Sequence, residues 1–396
     1  MYLIPLEEIR ALVAGKRVAI LLQGPSVRDA RLDELLRLDG EWIIASLNKA
    51  RAVEDLLPPG RGFDIVYCTA KQRIEEDLDW YSAYQGFLAL SFEGWKLLGK
   101  GMIYQEEAPF LFNSITGLLY LLARGGAADI FIFGADGHGD GYHNEQLFDG
   151  PASWISRDTA VMNKFFWPVA ETYGISLPRV TNVTPGSAIS CFPILDQEAV
   201  VARERHDRLN RAAALEGRST GLVWAPTVLS KLGIRARSSL WDLGCGNGEA
   251  RDWFRARRVD AAGIDFSGRP DVEACLWLLP ALYRRDFIYC VNVLEHIPEA
   301  HIDTVLRSAA ALMGATGFFY IRTAAREDAP PAETLRPAAW WVARIEAHFA
   351  IMHLLQDDGF EAFFQGDWYV MQMDRHVGTA RAPRDPDCIG IFVTGK

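Results

Sequence analysis

The chain has 396 residues, 49% of them apolar and 23% charged, the composition of a globular protein too long for one ordinary core. Its formal net charge of −10 argues against a surface that coats nucleic acid, which needs a clustered basic face. No apolar run approaches the roughly 20 residues of a spanning helix, and Met1 to Glu8 show no basic leader with a long apolar run, so a cytoplasmic protein is expected.

Residues 1–195 alternate strand-like and helix-like segments, the signature of a parallel sheet covered by helices. A short amphipathic helix over about 5–14 leads into an apolar strand, Arg17 to Leu22, which stops at Gln23-Gly24-Pro25-Ser26 before a helix near 30–38. Trp42 to Asn48 and Phe63 to Cys68 are the next strands. Asn113-Ser114-Ile115-Thr116-Gly117 begins an apolar helix to about Leu122. Asp129 to Asp136 is a buried strand ending in a polar loop, a helix runs from about Asp158 to Tyr173, and Val180-Thr181-Asn182-Val183 is the last strand. In open α/β sheets ligands bind outside the carboxyl ends of the strands. Here those ends carry Gly24, Pro25, Ser26, Asn48 and Asp136, polar groups of little net charge suited to a nucleotide or sugar. His138 and His143, with Asp136 and Asp140, could hold a metal or be solvated loop groups. The second is the commoner use of such clusters, and no metal is expected. The six cysteines form no Cys-x-x-Cys pair and read as reduced, small hydrophobes.

Short motifs in this half resemble a bacterial group that includes CMP-sialic-acid-dependent sialyltransferases, Maf-type flagellin-glycosylation proteins and domains named after a pterin pyrophosphokinase. They are Gln23-Gly24-Pro25-Ser26, Asn48, Thr116-Gly117, Gly134-Ala135-Asp136 and Val183-Thr184-Pro185-Gly186-Ser187 before Phe192-Pro193. The resemblance implies a Rossmann-like pocket for a nucleotide sugar, such as a CMP-sugar, with Gly24, Pro25, Ser26, Asn48, Thr116 and Asp136 around it. Two positions depart from the pattern. Gln23 replaces a smaller residue, and Arg157 stands roughly where the sialyltransferases carry their catalytic histidine.

Residues 199–222 read as a helical linker. Its Arg-rich stretch 202–218 alternates with Glu and Asp, the pattern of a solvated helix with charge pairs. Trp224-Ala225-Pro226 marks the start of the next domain, giving limits of 1–198 and 223–396 around the linker. Residues 240–249 then read Leu-Trp-Asp-Leu-Gly-Cys-Gly-Asn-Gly-Glu, and Gly263-Ile264-Asp265 follows. An apolar strand ends in a glycine turn, a helix follows, and a second strand ends in an acid placed to accept from both hydroxyls of a ribose. The spacing Gly244-x-Gly246-x-Gly248 differs from a dinucleotide fingerprint. Asp242 before it would repel a pyrophosphate but suits a cationic amino-acid end, which points to S-adenosylmethionine rather than NAD.

These residues resemble motif I of class I S-adenosylmethionine-dependent methyltransferases. Phe287 to Pro298, with its Leu294-Glu295-His296-Ile297-Pro298 ending, and the strand Gly317 to Arg322 continue the likeness over about 215–396. The resemblance implies that Asp242, Gly244, Cys245 and Gly246 line the methionine end and that Asp265 holds the ribose with Phe266 beside the adenine. It also puts Cys275 near the adenine and Asn292 where donor meets acceptor. Glu295 and His296 are candidate general bases for a hydroxyl acceptor, or they open the next helix and are catalytically idle. Trp340 and Trp341, after the loop 322–340, belong either to an acceptor lid or to helix packing.

The fold class expected is therefore α/β, two Rossmann-like doubly wound domains in tandem. The function expected is O-methylation of a small-molecule or carbohydrate acceptor. Two alternatives stay open: a bifunctional glycosyltransferase and methyltransferase, or a non-catalytic N-terminal binding module. A DNA or RNA methyltransferase would want Asn/Asp-Pro-Pro-aromatic where this chain has Asn292-Val293-Leu294-Glu295, and a basic face.

Overall fold

The computed structural model describes residues 6–103, 114–136, 153–216, 220–323, 332–355 and 388–395. It divides into two compact units, 1–201 and 202–396.

The first unit is built on seven strands: β1 (Arg17–Leu21), β2 (Trp42–Leu47), β3 (Ile65–Cys68), β4 (Phe87–Leu90), β5 (Met102–Ile103), β6 (Asp129–Phe133) and β7 (Arg179–Asn182). They lie in the order β5-β4-β3-β2-β1-β6-β7, and every neighbouring pair is parallel. All six residues of β2 are buried, as expected for a strand covered on both faces. Helix Ser114–Gly125 is apolar almost all round and buried for most of its length, which is the sequence reason it sits inside the unit. Two of its glycines mark close approaches. A Cβ on Gly117 would stand 2.2 Å from the Tyr67 hydroxyl, and one on Gly125 would stand 2.5 Å from Val13.

The second unit's strands are β8 (Ser239–Leu243), β9 (Asp260–Asp265), β10 (Val272–Glu273), β11 (Arg285–Val291), β12 (Met313–Arg322), β13 (Phe349–Leu355) and β14 (Cys388–Gly395). Their order is β10-β9-β8-β11-β12-β14-β13. β14 runs antiparallel to both β12 and β13, while the other pairs are parallel. Its core gathers Trp224, Val228, Phe254, Tyr289, Phe318 and Phe392, with Leu229 and Leu232 packed against it. The architecture is α/β and Rossmann-like. Both sheet orders reverse direction beside their first strand, at β1/β6 and at β8/β11, which is where such sheets open a crevice.

Several local expectations change. The helix near 30–38 is a 3-10 turn, Pro25–Asp29, and one short helix, Leu32–Leu35. Pro25 occupies the first turn, where its fixed φ and missing N–H are tolerated. The helix expected from Asp158 begins earlier, at Ser153. The linker is two helices, Gln197–Glu216 and Thr220–Lys231, the second containing Pro226. The charged stretch is not simply solvated. Arg203 is 1% exposed and pairs with Glu273 at 3.4 Å. Trp341 is fully buried, with Trp340 edge-on at 4.8 Å, which favours packing over a lid. Asn113, the loop carrying His138, Asp140 and His143, and residues 324–331 lie outside the described residues.

Helix propensity alone makes Gly117→Ala favourable by about 1 kcal/mol. The Tyr67 ring is 1% exposed and cannot swing away, so overpacking at about 1–3 kcal/mol decides the sign. Urea unfolding is expected to show net destabilisation, relieved only in part when Tyr67→Phe removes the hydroxyl, since the ring carbon that bore it stays 2.8 Å from the added Cβ. A stabilised single variant would contradict this packing.

Candidate active site in the second unit and a polar crevice in the first

In the second unit β8 is central, with Asp242 facing Gly263 of β9 and Tyr289 of β11 in register. After Leu243 the backbone turns through left-handed residues at Gly244 (φ 69°), Gly246 (φ 52°) and Gly248 (φ 81°). Any Cβ there would be strained. The space that the glycines clear is partly for the protein itself. A Cβ on Gly244 would lie 2.3 Å from Val293, and one on Gly248 2.3 Å from the Arg251 guanidinium. That guanidinium, 6% exposed, donates to the Arg269 carbonyl at 2.5 Å and lies 3.4 Å from Asp271. It ties the helix after the turn to the segment beyond β9.

Asp265 ends β9 and is held by main chain: Gly246 N donates to one carboxylate oxygen at 2.9 Å and Ser267 N to the other at 2.9 Å. Burial pushes its carboxyl up to about 6, against the pull of these amides. Asp242 is 4% exposed. Burial, and next the charge of Asp265, push its carboxyl up to about 8, and its Oδ2 has no hydrogen-bond partner. Asn292, just past β11, holds φ 54°, rare for a residue with a side chain. Its N–H donates to the Tyr320 carbonyl at 2.8 Å, while its Oδ1 is buried without a partner. Two orphaned acceptors thus stand at the carboxyl ends of neighbouring strands, where native proteins rarely leave buried oxygens unmatched.

The candidate bases differ in placement. Glu295 is 1% exposed, its Oε2 lacks a partner, and burial pushes its carboxyl up to about 7 against the nearby Arg322. Its carbonyl accepts from Glu333 N and Thr334 N at 2.8 and 2.9 Å. His296 is half-buried, and its ring meets His206 at 5.1 Å, edge to face. His206 also contacts Phe266 at 5.6 Å, and Phe266 contacts Trp277 at 6.3 Å. Sequence reasoning missed His206, because the charge alternation around it reads as surface. Cys275 is 0% exposed, so any contact with a ligand there is through neighbouring main chain. Burial pushes the Cys245 and Cys290 thiols up, which makes neither a thiolate nucleophile.

In the first unit several of the expected ligand residues follow the ends of neighbouring strands, β1, β2 and β6. Asp136, past β6, accepts from the Ser26 hydroxyl at 2.8 Å, and a Cβ on Gly24 would lie 1.9 Å from the same carboxylate. Asn48, past β2, holds φ 41° and donates to the Ser114 hydroxyl at 3.1 Å. Its Oδ1 is buried without a partner. Thr184 Oγ1 accepts from Ala135 N at 3.0 Å, bringing the segment after β7 to the same edge. Thr116 lies in the core, fully buried.

Residues 211–365 match a family model described as a methyltransferase domain. No curated protein matches the chain. Among solved structures, the 1,6-didemethyltoxoflavin-N1-methyltransferase of Burkholderia thailandensis, with bound S-adenosylhomocysteine, is 15% identical, covering 52% of this chain and 92% of that chain at a TM-score of 0.35. The magnesium protoporphyrin IX methyltransferase of Synechocystis is 13% identical, covering 50% and 100% at a TM-score of 0.36. Likenesses this distant carry no argument of their own. The family match stands on the domain: residues 211–365 form a methyltransferase domain. Among the described residues no helix is long and apolar enough to cross a membrane.

The raised carboxyls set a direction for stability. Glu295, ordinarily at 4.5, titrates near 7 when folded, so the native state binds the extra proton between those values. The contribution of these carboxyls to stability is therefore greatest below about 4.5 and falls as pH rises through 7, with Asp242 extending the loss toward 8. Glu295→Gln is expected to flatten this slope and to stabilise the ligand-free chain at pH 8 by about 2 kcal/mol. Urea unfolding of the wild type and Glu295→Gln at pH 5 and pH 8 checks it; pH slopes that do not differ between the two would refute the assignment.

Proposed function

We propose that the second unit methylates an oxygen of a small-molecule or carbohydrate acceptor, and that Asp242, Asp265 and Asn292 build its cofactor site. The observation that carries this is the pair of buried, unpartnered oxygens, Asp242 Oδ2 and Asn292 Oδ1, beside a clamped Asp265. The residues fit S-adenosylmethionine. A carboxylate with a vacant acceptor suits an ammonium group. Asp265 accepts one amide on each oxygen, which leaves lone pairs for ribose hydroxyls. Phe266 borders that position, Gly244, Cys245 and Gly246 supply main chain, and the segment around Cys275 flanks the base.

When bound, the cofactor supplies a methyl group on a positively charged sulfur, so transfer is an in-line displacement helped chiefly by positioning. His296 would take the proton of the acceptor hydroxyl as that oxygen is methylated. His296 serves as the base rather than Glu295, because Glu295 is shut away from any acceptor. Asn292 orients the acceptor oxygen or the donor through its free carbonyl.

The first unit reads as a second Rossmann-like, doubly wound domain in tandem, with limits near 1–198 and 223–396 and helices between. It binds a nucleotide sugar, and a CMP-sugar follows from the sialyltransferase likeness. What supports this is Asn48 past β2, left-handed and with a buried oxygen unmatched among the described residues, and the Ser26–Asp136 pair past the neighbouring strands β1 and β6. No sugar transfer is assigned to it, so it serves as a binding unit for the acceptor or its precursor.

Asp265→Ala is expected to weaken S-adenosylmethionine binding by about 1–3 kcal/mol, as charge-assisted bonds are lost; unchanged affinity by calorimetry would sink the ribose assignment. Because the free Asp242 carboxyl stays protonated up to about 8, pairing it with an ammonium at pH 7 releases a proton. Affinity then rises with pH and levels off above 8. Calorimetry in buffers of different ionisation enthalpy reads that proton, and Asp242→Asn is expected to abolish its release. For the first unit, CMP is expected to raise the melting temperature, and Asn48→Ala to remove the shift; a wild-type chain indifferent to CMP would overturn that reading.

A further inference from the structure

The segment Arg203 to Asp207 lies before the matched domain, which begins at 211, yet it touches four parts of the second unit. Arg203, 1% exposed, reaches Glu273 on β10. Arg205 pairs with Glu333. The Asp207 charge acts on Asp265. His206 stands between them, its ring 5.6 Å from Phe266 and 5.1 Å from His296, nearly perpendicular to the latter. Residues 203 and 206–207 share one helix face, so this turn lies over the interval between Phe266, just past β9, and His296, in the 3-10 turn after β11.

With the ribose on Asp265 and the acceptor near His296, the carbon and sulfur joined to the ribose occupy that interval. We propose that His206 is a specificity residue of the cofactor site: its uncharged imidazole covers the sulfonium and so lets the pocket take S-adenosylmethionine in preference to its neutral thioether product. This rests on the cofactor reading above. A cation at this position would repel the sulfonium and leave the thioether almost untouched. Burial first, and then Arg205, keep His206 uncharged by pushing its titration down to about 4, against the opposing charges of Asp207 and Glu333. A neutral aromatic surface beside a cation is also attractive in its own right.

The test uses the full chain, with S-adenosylmethionine and S-adenosylhomocysteine as calorimetric probes. His206→Phe keeps an uncharged ring and is expected to hold both affinities within about threefold of wild type. His206→Ala removes the ring and is expected to weaken S-adenosylmethionine severalfold, and S-adenosylhomocysteine by less. His206→Arg adds a charge and is expected to lose about tenfold on the sulfonium, about 1.4 kcal/mol, and under threefold on the thioether. A loss shared equally by both ligands in His206→Arg would overturn the proposal, as would affinities unmoved in His206→Ala. Should His206→Arg fail to fold, the Ala and Phe variants decide: Ala weak with Phe restored supports the covering ring, and Ala equal to wild type refutes it. A wild-type chain that binds neither ligand sinks the cofactor reading itself, and this inference with it.

Discussion

The Asp265 carboxylate, gripped by the Gly246 and Ser267 amides, is the contact on which the second unit's site depends. It joins the end of one strand to the glycine turn leaving the next, and both carboxylate oxygens are used. Main-chain donors are rigid, so the acid is aimed before any ligand arrives. The turn can offer an amide there only because Gly244, Gly246 and Gly248 take left-handed backbone that a side chain would resist. Arg251 closes the arrangement from behind, through the Arg269 carbonyl and Asp271. The site is a property of this frame more than of any one residue that faces a ligand.

A second feature recurs in both units, each taken by itself. Asn292 follows β11, the neighbour of the central β8, and Asn48 follows β2, the neighbour of β1. Both have positive φ, and both bury a side-chain oxygen that nothing among the described residues satisfies. Asparagine is among the few residues with a side chain that tolerate this conformation. Strain together with an unmet acceptor, at the edge where open α/β sheets hold ligands, points to a ligand more strongly than either would alone.

The acids around the second site also divide by environment. Asp265 has amides to stabilise its charge, whereas Asp242 has burial and a neighbouring acid to oppose it. A cation entering the pocket meets a group ready to give up a proton. Glu295 is raised by burial as well, but its main chain anchors the 333–334 segment, which makes it part of the frame.

Much of this was legible in the amino-acid sequence, because it depends on local rules. Alternating apolar runs and turn residues located most strands of both sheets, and the Gly244–Gly248 spacing marked the left-handed turn after β8, since backbone conformation restricts residue choice directly. Strands β4, β5, β10, β13 and β14 were not named; they are short, or paired with partners distant in the chain. Only tertiary structure decided what the charged helix after residue 197 does, because alternating charge looks the same in solvent and against a carboxylate such as Glu273. It likewise decided which of Glu295 and His296 is reachable. Neighbours in sequence separated there by burial, and burial is set by whatever the remainder of the chain packs on top.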